Sequence, residues 1–156
     1  MITATKKQLF GFIQKNLGSL QSSGSTPGTR LTLSFANLTE NYLNDGVVDS
    51  PTNLRFRALV AGYYRFNYKI IAYASTALRG MEFRALKNGV TELTGSVKKL
   101  SCSNITATRG SSTATFSGIY LLADNDYIEV QVNPVDSTVI NVLSETCALL
   151  EYIGSE

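Results

Sequence analysis

Tyr64, Phe66, Tyr68 and Ile70 alternate with Arg65, Asn67 and Lys69 just after a small-residue corner at Ala61 and Gly62. A two-residue period of this kind makes a strand with one oily and one polar face. A second strand-like run, residues 54–59, leads into the same corner. The oily face has to be covered by another layer, so the pattern predicts a sandwich strand.

The shape recurs toward the end of the chain. An acidic turn at Asp124, Asn125 and Asp126 leads into Ile128, Val130 and Val132, which alternate with Glu129 and Gln131, and the apolar run 146–154 follows. In this order the segments resemble the tumour necrosis factor and complement globular-head superfamily. Its members carry a Gly-x-Tyr-x-Phe-type strand, a Leu-x-x-Gly-Asp-type turn into an alternating strand, and a last apolar strand. The resemblance spans roughly residues 29–154, with Asn125 and Asp126 where the family usually has Gly-Asp. It implies an all-β, antiparallel jelly-roll sandwich that assembles as a homotrimer and binds without catalysis.

With 156 residues, 44% of them hydrophobic, and three prolines, the chain suits one globular domain. Strands are predicted over 30–35, 54–59, 63–73, 80–87, 90–93, 113–122, 127–132, 138–142 and 146–153, separated by Asn, Asp and Gly turns. Ahead of them, residues 5–8 have capping-box spacing, Leu9, Phe10, Ile13 and Leu17 fall at helical intervals, and Gly18 is placed to end a helix. The small polar stretch 18–28 reads as a flexible tether with a random-coil span of about 18 Å. The expected division is a helix and tether over 1–28 and a jelly roll over 29–156.

The chain has no histidine and no tryptophan. Without histidine, a serine or cysteine nucleophile lacks its usual proton acceptor and the commonest zinc constellation is lost. Asp124 and Asp126 form the densest acidic cluster and suit a plain turn better than a cation site. Cys102 and Cys147 lack the paired spacing of a metal or redox motif and read as two buried free thiols. No glycine-rich phosphate loop accompanies them, so no enzyme and no cofactor are expected. A net charge of +2 is too small to argue for nucleic acid, and no apolar run is long enough for a membrane helix.

In the family, strands resembling 63–73, 127–132 and 148–153 share the inner sheet. Carried over, Tyr64, Phe66, Tyr68, Ile70, Ile128, Val130 and Val132 enter the core. Arg65, Asn67, Lys69, Glu129, Gln131, Leu149 and Glu151 then face the trimer interface, with Arg65 or Lys69 paired to Glu129 or Glu151. The chain carries no signal for secretion, and Lys6, Lys7, Leu9, Phe10, Ile13 and Leu17 make a basic amphipathic leader. Together these suggest a bacteriophage capsid decoration protein on the virion surface, anchored to the major capsid protein by that leader. The alternative is a host-receptor- or carbohydrate-binding knob.

Overall fold

A computed structural model describes residues 9–35, 37–43, 46–76, 79–101 and 111–155. The alternating run forms the longest strand, β7 (Gly62–Ala74), and its burial follows the sequence period without a break. Tyr64, Phe66, Tyr68, Ile70, Ala72 and Ala74 are buried, while the residues between them reach solvent. Aromatic and β-branched side chains pack well on such a pleated, half-buried surface.

Two seven-stranded antiparallel sheets build the sandwich. In the first, β7 pairs along one edge with β11 (Ser112–Leu122). Its other edge pairs with β14 (Cys147–Gly154) and then β13 (Ile140–Val142). Beyond β14 lie β1 (Gly11–Asn16) and β4 (Asn37–Leu43), and β2 (Gln21–Ser22) borders β13. The second sheet centres on β8 (Gly80–Lys87) and β12 (Tyr127–Pro134). Four short strands border β8 and β12: β3 (Leu31–Thr32), β6 (Phe56–Ala58), β9 (Thr91–Glu92) and β10 (Lys98–Ser101). The sheet ends at β5 (Val48–Asp49) beside β6. This is the expected all-β jelly-roll sandwich.

Between the sheets, Phe56 meets Phe35 and Phe66 edge-on at 5.4 and 5.6 Å between ring centroids. Ile128, Val130 and Val132 complete the core from β12, as expected. Gly62 starts β7 because nothing larger fits. A Cβ there would lie 2.6 Å from Gly154 O and 2.7 Å from the Tyr152 ring.

The amino-terminal segment departs from the expected helix and tether. Residues 11–16 are strand β1, held between β14 and β4, with Ile13 and Leu17 in the core. Leu9 packs against that core and Phe10 is exposed, whereas Lys6 and Lys7 lie outside the described residues. A main chain bonded to two neighbouring strands has no groups left for a helix. The stretch 18–28 is fastened too. Ser23 N–H donates to Ile140 O at 2.9 Å, Ser34 N–H donates to Gln21 Oε1 at 2.8 Å, and Gly28 N–H donates to Pro134 O at 3.2 Å. The boundary expected at residue 28 is therefore crossed by the sheet, and Ile13 and Leu17 are not free to anchor anything.

Lys15 explains the misleading pattern. Its side chain points into the core beside Ile13 and is 1% exposed. The ammonium donates to Ser50 Oγ at 2.6 Å, Arg55 O at 2.9 Å and Thr52 O at 3.1 Å, and sits 4.5 Å from the Phe56 ring centroid. Burial lowers its pKa from 10.5 to about 8, with the charge of Asp49 opposing. Between these values the unfolded chain holds a proton that the folded chain has released, so stability rises with pH across that window. Tyr64 and Tyr68 act in the opposite sense above pH 10, because burial raises their phenols and the folded chain keeps protons that the unfolded one loses.

The urea midpoint of wild type relative to Lys15→Met should therefore climb between about pH 8 and 10.5, and a constant difference would contradict the burial account. Gly62→Ala should cost about 1–3 kcal/mol in the same assay.

Candidate functional site: the outward face of the β7 sheet

Side chains on the outward face of the first sheet form rows that the strand register fixes. Leu121 lies opposite Tyr63, with Ile153 and Phe10 at the same end of the sheet. Ile119, Arg65, Glu151 and Phe12 make the next row. Ser117, Asn67, Leu149 and Gln14 follow, and then Thr115, Lys69, Cys147 and Asn16. Polarity changes along this face. Phe10, Tyr63, Ile119, Leu121 and Ile153 are 39–55% exposed at one end, whereas amides, hydroxyls and Lys69 occupy the other.

Arg65 and Glu151 face each other on β7 and β14, and Arg65 Nη1 donates to Glu151 Oε2 at 2.8 Å. The Arg65–Glu151 alternative expected from sequence is the one that forms. It neutralises the row beside the apolar end. A shallow dip of about 220 Å³ lies farther along the face, lined by Gln14, Asn67, Lys69, Cys147 and Leu149. Cys147 is thus half-buried in a surface dip, not in the core, and Cys102 lies outside the described residues.

Arg65, Asn67, Lys69, Leu149 and Glu151 share this face. Glu129 and Gln131 do not, because β12 pairs with β8, β3 and β6 in the other sheet. Their side chains lie across the sandwich in a polar ladder. Gln131 Nε2 donates to Glu129 Oε1 at 3.1 Å, and Arg84 Nη2 donates to Gln131 Oε1 at 3.1 Å.

The acidic turn is a structural lock. Asp126 Oδ2 accepts from Lys87 Nζ at 2.6 Å and from Ala123 N–H at 2.7 Å, and Oδ1 accepts from Asn88 Nδ2 at 2.7 Å. Burial pushes this carboxyl upward, but the bonds from Lys87, Asn88 and Ala123 and the Lys87 charge outweigh it and hold the pKa below its usual value. Among the described residues no group of His, Cys, Asp or Glu is placed to hold a metal, and no helix is long and apolar enough to cross a membrane.

Solved structures of two other proteins match this sandwich over nearly its whole length. Murine APRIL superposes with a TM-score of 0.60 at 10% identity, covering 92% of this chain and 99% of its own. Eiger, a TNF from S. frugiperda, gives 0.59 at 9% identity, covering 95% and 94%. The fold is the TNF-type jelly roll. No family model and no curated protein matches the sequence. The TNF-like core is thus built from largely different side chains, and what this chain does with the fold depends on its own surface.

The apolar end of the face should be dispensable for folding. Leu121→Asp with Ile153→Asp should leave the unfolding free energy of the isolated subunit within about 1 kcal/mol of wild type, whereas Leu150→Ala in the core should cost about 2–5 kcal/mol. Equal losses would mean that the exposed residues belong to the core.

Proposed function

We propose that this chain is a non-enzymatic structural protein that associates with copies of itself through the outward face of the β7 sheet, as a homotrimer, and serves as a capsid decoration protein on a virion. The observation that carries the self-association is the apolar end formed by Phe10, Tyr63, Ile119, Leu121 and Ile153. Five large apolar side chains gathered on one sheet face mark a contact surface, whereas scattered ones would need no explanation. The internally neutralised Arg65–Glu151 pair supports this reading, since it can enter a contact without leaving a lone charge.

Homo-oligomers are mostly closed assemblies, and three copies is the number that the resemblance to the tumour necrosis factor and complement globular-head superfamily implies. The absence of histidine and the engagement of Asp126 in a turn support a role without catalysis. The virion role rests on the sequence. Because Ile13 and Leu17 are in the core, attachment to the major capsid protein falls to the residues before Leu9, including Lys6 and Lys7.

Capsids carrying the protein should open at a higher temperature than bare capsids. Leu121→Asp with Ile153→Asp should lose both the trimer and that gain. Identical opening temperatures with and without the wild-type protein would overturn the decoration reading.

A further inference from the structure

A cleft opens along the free edge of β11, bounded by Phe116 and Tyr120 on the inner side and by Thr115, Ser117 and Ile119 of the outward face. It has a volume of about 600 Å³, within the roughly 300–1,000 Å³ of small-ligand sites. It forms because the second sheet is thin at this point. β9 has only two residues, and the segment 93–97 that follows leaves the inner side of β11 partly uncovered. Phe116 and Tyr120, which would otherwise be core residues, are half-buried and line the opening. Gly118 separates them, and a Cβ on it would come within 2.8 Å of both rings.

The walls are held in place. Tyr120 Oη donates to Thr94 O at 2.7 Å, Tyr68 Oη donates to Ser96 O, and Ser96 Oγ bonds the main chain of Ala85. Lys98 stands over the cleft with its ammonium 5.9 Å from the Phe116 ring centroid, and it has no carboxylate partner among the described residues. Neighbouring Lys99 is paired with Glu82 at 3.5 Å.

The rim adds main-chain groups. Ile71 N–H donates to Thr146 Oγ1, and Ile71 O accepts from Leu143 N–H, so this residue's polar groups point away from β11. By alternation, Ala114, Phe116, Gly118 and Tyr120 bond to β7, and the N–H and C=O of Thr115, Ser117 and Ile119 point outward. No strand pairs with that edge among the described residues.

This lining selects a ligand class by exclusion and by fit. It contains no His, Cys, Asp or Glu to hold a metal, and its single cation is too little for a polyphosphate or nucleic acid. Its open mouth, hydroxyls and free main-chain groups do not suit an acyl chain. Two aromatic rings, hydroxyls, main-chain donors and acceptors, and an ammonium with no carboxylate partner among the described residues suit a flat ring that bears hydroxyls and one negative charge. We propose that the cleft binds an acidic saccharide, with a pyranose ring against Phe116 and Tyr120 and its carboxylate toward Lys98. Thr115, Ser117 and Ile119 on the rim also belong to the outward face, whereas Phe116, Tyr120 and Lys98, which make the proposed contacts, do not.

The test is isothermal titration calorimetry of the full chain with three probes: hyaluronan tetrasaccharide, neutral cellotetraose and sodium sulfate. Hyaluronan should bind saturably, more weakly as salt rises, and at least about tenfold more tightly than cellotetraose. Lys98→Gln, which keeps most of the length of this half-buried side chain, should weaken hyaluronan by about tenfold and leave cellotetraose unchanged. Phe116→Leu should weaken both sugars. The proposal is overturned if hyaluronan gives no binding, if Lys98→Gln binds it as tightly as wild type, or if sulfate competes at equal concentration.

Discussion

Burial of the inner face of β7 is the interaction on which the rest of the molecule depends. Six side chains from Tyr64 to Ala74 enter the core from this one strand, and it also supplies hydrogen-bonding edges to β11, β14 and β13. A one-residue slip in its register would exchange Phe66 and Tyr68 for Arg65, Asn67 and Lys69. The polar groups that reach the core are accordingly few and paired. Tyr64 Oη lies 2.7 Å from Val60 O and 2.8 Å from Val47 O, and Lys15 meets three oxygen acceptors.

The same constraint shapes the surface. A fixed register on the inside fixes the rows on the outside, so Arg65 must meet Glu151 and Leu121 must meet Tyr63. The ion pair is part-exposed and adds little to stability; its importance lies in neutralising the middle of the face. The side cleft follows from the opposite circumstance. Where β9 is too short to cover β11, aromatic side chains placed for a core are left open to solvent.

Strands whose buried positions are all apolar were legible from the sequence. β8 falls on the expected residues 80–87, β7 and β11 extend one residue or so past their expected ends, and the core residues of β7 and β12 are those anticipated. β1 was hidden because Gly11 and Lys15 occupy two of its inward positions, leaving Ile13 and Leu17 to mimic helical spacing with Leu9 and Phe10. A lysine two residues from each of two apolar neighbours was the available signal, and only a buried acceptor set makes sense of it. Placing β12 beside β7 failed for another reason. Alternation says which face a side chain takes but not which sheet the strand joins, and that is settled by partners distant in sequence. The cleft had no local signature, since Lys98, Phe116 and Tyr120 meet only through the crossing of the two sheets.

The central claim is that the outward face of the β7 sheet is a contact between copies of this chain. Static light scattering across a dilution series tests it most directly. The account predicts a mass near three times 16.9 kDa at high concentration, falling only on strong dilution. A mass of one chain at every concentration would contradict it.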